Sequence, residues 1–268
     1  MENQSSLKKC KVGGIAPGLR VFVSGAATGI GRAIAETLIA SGSRLHICDV
    51  SEEGVEEFRA SHPDHAATVA DVSDDGAVGS IFETIGAEWN GLDALINNAG
   101  IAGPTGGVDE ISPADWRQCV EVCLTGQFLC AHFAVPLIRS SGGGSIVNLS
   151  SAAGRFGYSY RTPYSSAKWG VVGFTQSLAK ELGPDNIRVN AILPGLIEGP
   201  RIERVISSRA EQLGISHEEM KSSYVENISL RRMTPPEDIA SLVAFLLSDM
   251  GTNLSGQSFG IDGNLEKI

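Results

Sequence analysis

The amino-acid sequence predicts an α/β protein, a doubly wound parallel sheet with helices on both faces. Three observations carry the expectation. Short apolar runs alternate with helical patterns from residue 20 onward. The runs are apolar throughout rather than at every second position, as strands are when both of their faces are covered. A glycine-rich turn joins the first run directly to the first helical pattern, as when a strand feeds a crossover helix.

Strands are expected at 20–24, 45–49, 66–70, 94–97, 145–149, 188–193 and 257–261, giving a seven-stranded sheet. Helices are expected at 30–41, 52–61, 75–89, 115–139, 163–181 and 236–248. Start signals support several boundaries: Ser51 before Glu52 and Glu53, Ser112-Pro113 ahead of the fourth helix, and Thr234-Pro235-Pro236-Glu237 before the last. The segment 198–232 breaks the alternation, being polar and carrying a helical pattern with no strand after it. It leaves from the carboxyl end of a strand, where open α/β sheets bind ligands, so a substrate lid is expected, with a plain surface insertion as the alternative.

The turn after the first strand reads Ser24-Gly25-Ala26-Ala27-Thr28-Gly29-Ile30-Gly31. Glycines there let the chain turn tightly and approach a pyrophosphate, whose charge a helix N-terminus favours. Asp49 ends the second strand eighteen residues past Gly31, where a carboxylate accepts the hydroxyls of an adenosine ribose and repels a 2′-phosphate. Together the two signals make the sheet Rossmann-like and favour NAD over NADP. No Arg or Lys stands within the turn or at positions 50 and 51. The competing reading of Asp49 is a cap on the helix that follows. Residues 1–18 are expected to form a flexible leader and 19–268 a single dinucleotide-binding and catalytic domain.

Tyr164 and Lys168 stand four residues apart on the helix that starts near Pro163, so they share a face. An ammonium beside a phenol stabilises the phenolate, which makes Tyr164 a candidate general acid/base. On its own the Tyr-x-x-x-Lys spacing is common on solvated helices. Ser151, thirteen residues before Tyr164, completes a candidate trio.

Composition narrows the function classes. The 268 residues are 42% hydrophobic and 19% charged, ordinary for a globular chain with a sizeable core. A net charge of −10 without a basic cluster argues against a nucleic-acid partner. No uninterrupted apolar run approaches the roughly 20 residues that span a bilayer, and residues 1–18 lack a signal-peptide core. A cytoplasmic protein with no membrane partner is expected. The five cysteines form no Cys-x-x-Cys pair and the five histidines do not cluster, so reduced thiols and no metal are expected.

With these motifs in order, the chain resembles the short-chain dehydrogenase/reductase family from Leu19 to Gly263. Gly25, Gly29 and Gly31 match the spacing of that family's glycine turn, Asp71-Val72 its adenine-contacting pair, and Asn97-Asn98-Ala99-Gly100 its signature after the fourth strand. Ser151, Tyr164 and Lys168 match its catalytic positions, and Pro194-Gly195 the turn beside the nicotinamide. The resemblance implies an NAD site made from Gly25, Thr28, Gly29, Ile30, Gly31, Asp49, Asp71, Val72, Asn98, Ala99, Gly100, Tyr164, Lys168, Pro194, Gly195 and Ile197. The implied activity is hydride transfer between NAD(H) and a small alcohol or carbonyl, with Ser151 on the substrate oxygen, Tyr164 exchanging the proton, and Lys168 on the nicotinamide ribose. A homotetramer is implied as well, because the helices at 115–139 and 163–181 carry apolar residues over broad arcs, among them Val122, Phe128, Phe133, Trp169, Val172 and Phe174.

Two positions depart from the family pattern. Cys123 stands where members usually carry an asparagine associated with a water-mediated proton relay, and Gly199 replaces a common threonine in the segment after Pro194. Two other readings stay open, an NADPH-dependent carbonyl reductase, which Asp49 disfavours, and a catalytically weak dinucleotide-binding sensor or scaffold, which Cys123 allows. Expected pocket residues are Pro104, Ala153, Arg155, Tyr158, Tyr160, Arg161 and Leu196, with Arg201 and Arg204 nearby. The arginines suggest a polar or anionic substrate such as a sugar or a hydroxy acid.

Overall fold

Seven parallel strands form one sheet, in the order β3-β2-β1-β4-β5-β6-β7, in the computed structural model, which describes residues 14–266. Most of the expected leader therefore lies outside the described residues. The strands are β1 (Arg20–Ser24), β2 (Arg44–Asp49), β3 (Ala66–Val69), β4 (Ala94–Asn97), β5 (Gly144–Leu149), β6 (Ile187–Pro194) and β7 (Ser258–Ile261). Between them run α1 (Gly29–Ala40), α2 (Glu52–Ser61), α3 (Asp75–Trp89), α4 (Pro113–Val120), α5 (Gly126–Ser140), α6 (Thr162–Leu182), α7 (Pro200–Leu213), α8 (His217–Glu226) and α9 (Pro236–Leu247).

Alternate strand residues feed two cores. Phe22, Leu95, Ile146 and Val189 face Ile81, Phe82 and Ile85 of α3, Ala134 and Ile138 of α5, and Leu178 of α6. Val21, Val23, Ile96 and Val147 face Ile34 and Leu38 of α1 and Val243 and Leu246 of α9. Each large aliphatic side chain so buried contributes about 1.5–3 kcal/mol. Both faces being covered is why the strands carry no polar alternation.

Two expectations are corrected. The single helix expected at 115–139 is interrupted by a π-helical turn, Glu121–Thr125, between α4 and α5. A periodic apolar pattern cannot register one extra residue in a turn, so the sequence conceals it. By length and composition the run Pro113–Ser140 would suffice to cross a membrane, yet Cys130, Ala131, Ala134 and Ile138 along it belong to the sheet's core. The excursion after β6 holds two helices rather than one pattern. Gly214, with φ of 65°, ends α7, and Ser216 with Glu219 forms a reciprocal capping box that starts α8. Ile206, Ala210, Met220 and Met233 give the pair its own small core, and a parallel bridge between Ile197 and Thr234 joins its two ends.

His46 on β2 is buried between the rings of Phe22 and Trp89, with Nε2 at 2.8 Å from Thr68 Oγ1. Burial, reinforced by the charge of Arg59, lowers its pKa from 6.5 to about 4. The unfolded chain therefore binds the extra proton first, and stability falls as pH drops from about 6.5 towards about 4, by at most about 1.4 kcal/mol per pH unit. Urea midpoints measured from pH 7 down to 4.5 are expected to decline less steeply in a His46→Gln variant than in the wild type. Parallel profiles would remove His46 from this role.

Candidate active site

The strand order reverses between β1 and β4, because the crossover from β1 leads to β2 and that from β4 leads to β5. Ligands of open α/β sheets bind in the crevice at such a point, beyond the carboxyl ends of the strands. Here the crevice is clamped by hydrogen bonds. Ser24 Oγ accepts from the backbone N–H groups of Asn98 and Ala99, each at 3.1 Å. Asn98 Nδ2 donates to the carbonyls of Ser24 and Gly25 at 3.1 and 2.7 Å.

The glycine turn fits a dinucleotide. Gly25 has φ of 63°, and a Cβ there would lie 2.7 Å from Ala99 Cα; one on Gly31 would lie 2.1 Å from Gly25 O. Gly29, with φ of 57°, has nothing within 4 Å of a Cβ position, so its backbone faces open space. No side chain caps α1 at Thr28, which leaves the first N–H groups of the helix, including those of Ile30 and Gly31, to an anion. Asp49 is oriented from both sides, Oδ2 by Ala27 N at 3.0 Å and Oδ1 by Ser51 N at 3.1 Å. The capping alternative for Asp49 is corrected, since the cap of α2 is Ser51, whose Oγ accepts from Gly54 N at 3.1 Å. Arg32, just past the turn, points away from it, bonded to Glu36 and Ser61 and stacked on Phe58.

The remaining expected positions border the same crevice or support it. Asp71 accepts from the backbone and hydroxyl of Ser73, and Val72 is buried where a side chain on Gly126 would meet it at 2.6 Å. Gly195 N donates to Ile261 O at 3.2 Å, a close approach that leaves no room for a Cβ beside Asp262. Ile197 lies in the bridge to Thr234. No group of three His, Cys, Asp or Glu side chains is placed to hold a metal among the described residues.

Ser151 follows β5, and Tyr164 and Lys168 lie on α6, which packs against the turn after that strand. Ser151 follows the strand and opens a short 3-10 turn, its Oγ accepting from Ala153 N at 3.2 Å. Two neighbouring serines dock α6 onto that turn: Ser150 Oγ donates to Lys168 O at 2.7 Å, and Ser165 Oγ donates to Ala153 O at 2.9 Å. The docking holds the helix of Tyr164 and Lys168 against the turn that Ser151 opens. Lys168 is 4% exposed; its Nζ donates to Leu149 O at 2.8 Å and lies 5.7 Å from the centre of the Tyr164 ring. The pair is a buried ammonium next to a phenol.

Two residues of the site were not singled out in the sequence. Gln127 is buried, and its Nε2 donates to the same Leu149 carbonyl, at 3.0 Å, that accepts from Lys168. Asn148 Oδ1 accepts from Asn97 Nδ2 at 2.9 Å and Asn148 Nδ2 donates to Thr175 Oγ1, so a ladder of amides crosses the sheet beneath the site. A polar residue interrupting an apolar helix face was the available signal for Gln127. Cys123 lies in the π turn with its thiol directed to Ile101 O at 3.4 Å. Of the expected pocket residues, Arg155 is exposed, pairs with Asp262 and stacks on Phe156. Arg204 is exposed on α7, and the Arg201 side chain lies outside the described residues. Tyr160 is exposed with φ of 62°, Ala153 is buried, and Leu196 packs against the excursion's core. Arg161 turns inward, over the rings of Tyr158 and Tyr164.

The comparisons agree with this geometry. A family model described as enoyl-(acyl carrier protein) reductase matches residues 25–265. The cis-4-hydroxycyclohexanecarboxylate dehydrogenase of Sinomonas cyclohexanicum is 34% identical over 249 residues, covering 92% of this chain and 96% of that protein. The chain belongs to the short-chain dehydrogenase/reductase family. Among solved structures, L-sorbose reductase from Gluconobacter frateurii complexed with NADPH and L-sorbose superposes with a TM-score of 0.88 at 28% identity, covering 95% of this chain and 98% of that one. NAD+-bound xylitol dehydrogenase gives 0.87 at 28% identity, covering 92% and 98%. The protein is thus an oxidoreductase of alcohols or carbonyls with a nicotinamide cofactor.

Proposed function

We propose that the protein is an NAD-dependent dehydrogenase or reductase of a small hydroxy compound, a sugar or a hydroxy acid, and its carbonyl counterpart. The observation that carries the reading is the buried Lys168 ammonium beside the Tyr164 phenol, docked next to Ser151 at the mouth of the crevice. When bound, the nicotinamide accepts or supplies the hydride. Gly25, Thr28, Gly29, Ile30 and Gly31 would hold its pyrophosphate, Asp49 the adenosine ribose, Asp71 and Val72 the adenine. Asn98, Ala99, Gly100, Pro194, Gly195 and Ile197 would flank the nicotinamide half, with Lys168 on its ribose.

Ser151 positions the substrate oxygen by a hydrogen bond. Tyr164 takes the hydroxyl proton as the carbinol C–H bond breaks and the C=O bond forms, and returns a proton in the reverse direction. Lys168 stabilises the phenolate between these events. The two helices after β6 act as the lid over the substrate. Two similar proteins favour the substrate class in their names, one handling a hydroxycyclohexanecarboxylate and one a sugar. Tyr164→Phe removes only the hydroxyl, so turnover is expected to fall roughly 10²–10⁴-fold while NADH binding, read by fluorescence titration, persists. Near-normal turnover would place the proton transfer elsewhere.

Asp49 favours NAD over NADPH, because a carboxylate held by Ala27 and Ser51 faces a 2′-phosphate with like charge while Arg32 is committed elsewhere. A strong NAD preference in kcat/KM is expected, relaxed in Asp49→Ala. Comparable efficiency with NADP in the wild type would support the NADPH-dependent reading instead.

A homotetramer is proposed from the outer faces of the helices that frame the site. Trp116 on α4, Phe128 on α5 and Trp169 on α6 are 38%, 48% and 51% exposed, more large apolar surface than a monomer ordinarily leaves in water. Sedimentation at micromolar concentration is expected to show the tetramer; a stable monomer would refute it.

A further inference from the structure

We infer that Arg161 is the anion anchor of the substrate site, and that the substrate is a hydroxy acid or oxo acid whose carboxylate this guanidinium holds while Tyr164 faces the carbinol or carbonyl. The inference rests on the oxidoreductase reading above and adds the substrate class to it.

Arg161 stands immediately before α6, three residues from Tyr164, and is 9% exposed. One guanidinium nitrogen, Nη2, donates to Ala102 O at 2.5 Å. Its Nε is buried without any hydrogen-bond partner. Arg161 takes part in none of the ion pairs among the described residues, whereas Arg20 pairs with Asp93, Arg139 with Asp185 and Arg155 with Asp262. The rings of Tyr158 and Tyr164, with centres 5.2 and 5.4 Å from its Cζ, offer partial compensation. They do not neutralise it. Lys168 approaches the same Tyr164 ring at 5.7 Å, so two buried cations flank one phenol.

A buried, unpaired charge is costly and is normally paired. The partner missing here is an anion from outside the chain. Cofactor phosphates are provided for separately, at the glycine turn before α1. A guanidinium presents a planar fork that matches a carboxylate with two parallel hydrogen bonds, which an ammonium does not. Because the fork lies against the phenol that exchanges the proton, anion and carbinol belong to one compact molecule. Arg161 also hangs from Ala102, in the loop that follows the Asn97–Gly100 signature, so a purely mechanical role as a latch on that loop is the competing explanation.

The test uses matched acid and amide pairs on the whole protein. The pairs are 4-hydroxycyclohexanecarboxylate with its carboxamide and 4-hydroxypentanoate with its amide, oxidised with NAD and with NADP. Wild type is expected to favour at least one acid over its amide by roughly 10²-fold in kcat/KM. Arg161→Gln should abolish that preference, chiefly through KM for the acid, while leaving the amide within about threefold. Arg161→Lys should restore part of the preference, since it keeps charge without the fork. Equal kcat/KM for acid and amide in the wild type overturns the inference. So does an Arg161→Gln variant that loses both substrates alike, which identifies a latch. Calorimetric titration of the NADH-loaded protein with cyclohexanecarboxylate and with cyclohexanecarboxamide covers the case in which neither pair is oxidised. Carboxylate-selective binding lost in Arg161→Gln then upholds the anion site while the redox reading fails, and no carboxylate binding to the wild type overturns the anion site itself.

Discussion

The site depends on one backbone carbonyl. Leu149 O ends strand β5, next to the central strand β4, and accepts from Lys168 Nζ and Gln127 Nε2 together. With that acceptor, a lysine can be buried without stranding its ammonium, and the helix that carries it is fixed relative to the strand that delivers Ser151. The strand end is available because β4 stops at Asn97, leaving the Leu149 carbonyl beyond the ladder on that side. Termination of a strand, rather than any side chain alone, thus supplies the acceptor that orders the groups around it.

Polar groups beneath this point form a continuous path. Asn97 donates to Asn148 and to the Gln127 carbonyl, and Asn148 donates to Thr175. Each link ties a different element, β4, β5, α5 or α6, to its neighbour. The amide nitrogens of Asn97, Asn148 and Gln127 each find an acceptor, while Asn97 Oδ1 and Gln127 Oε1 are buried without a partner; the paired donors specify one arrangement of the helices on the sheet, since a slip would leave them desolvated and without an acceptor. The apolar cores provide the stability, and the amides fix the register.

Much of this was legible in the sequence, and the exceptions have physical causes. The strands, most helix limits, the glycine turn and Asp49 were readable because turn chemistry and apolar runs are local signals. The π turn at Glu121–Thr125 was not, because its extra residue leaves the apolar period almost unchanged. Gln127 was passed over because its meaning is a contact with a strand twenty-two residues away. The arginines near the pocket looked equivalent as letters. Only the fold separates Arg155, paired at the surface with Asp262, from Arg161, buried against two phenol rings. Charge in a sequence carries no information about its partner until the chain has closed.

The helical pair after β6 keeps a small core of its own and is held at two places, the bridge between Ile197 and Thr234 and the antiparallel bridge between Ile228 and Leu265. It is in effect a cassette fastened by two clips, the second of which buries Ile228 and Leu265 against Ala152. No residue of α7 or α8 belongs to either core of the sheet among the described residues, so substitutions on these helices leave both cores intact. Such a layout uncouples change in the cassette from the packing of the sheet that carries Ser151, Tyr164 and Lys168.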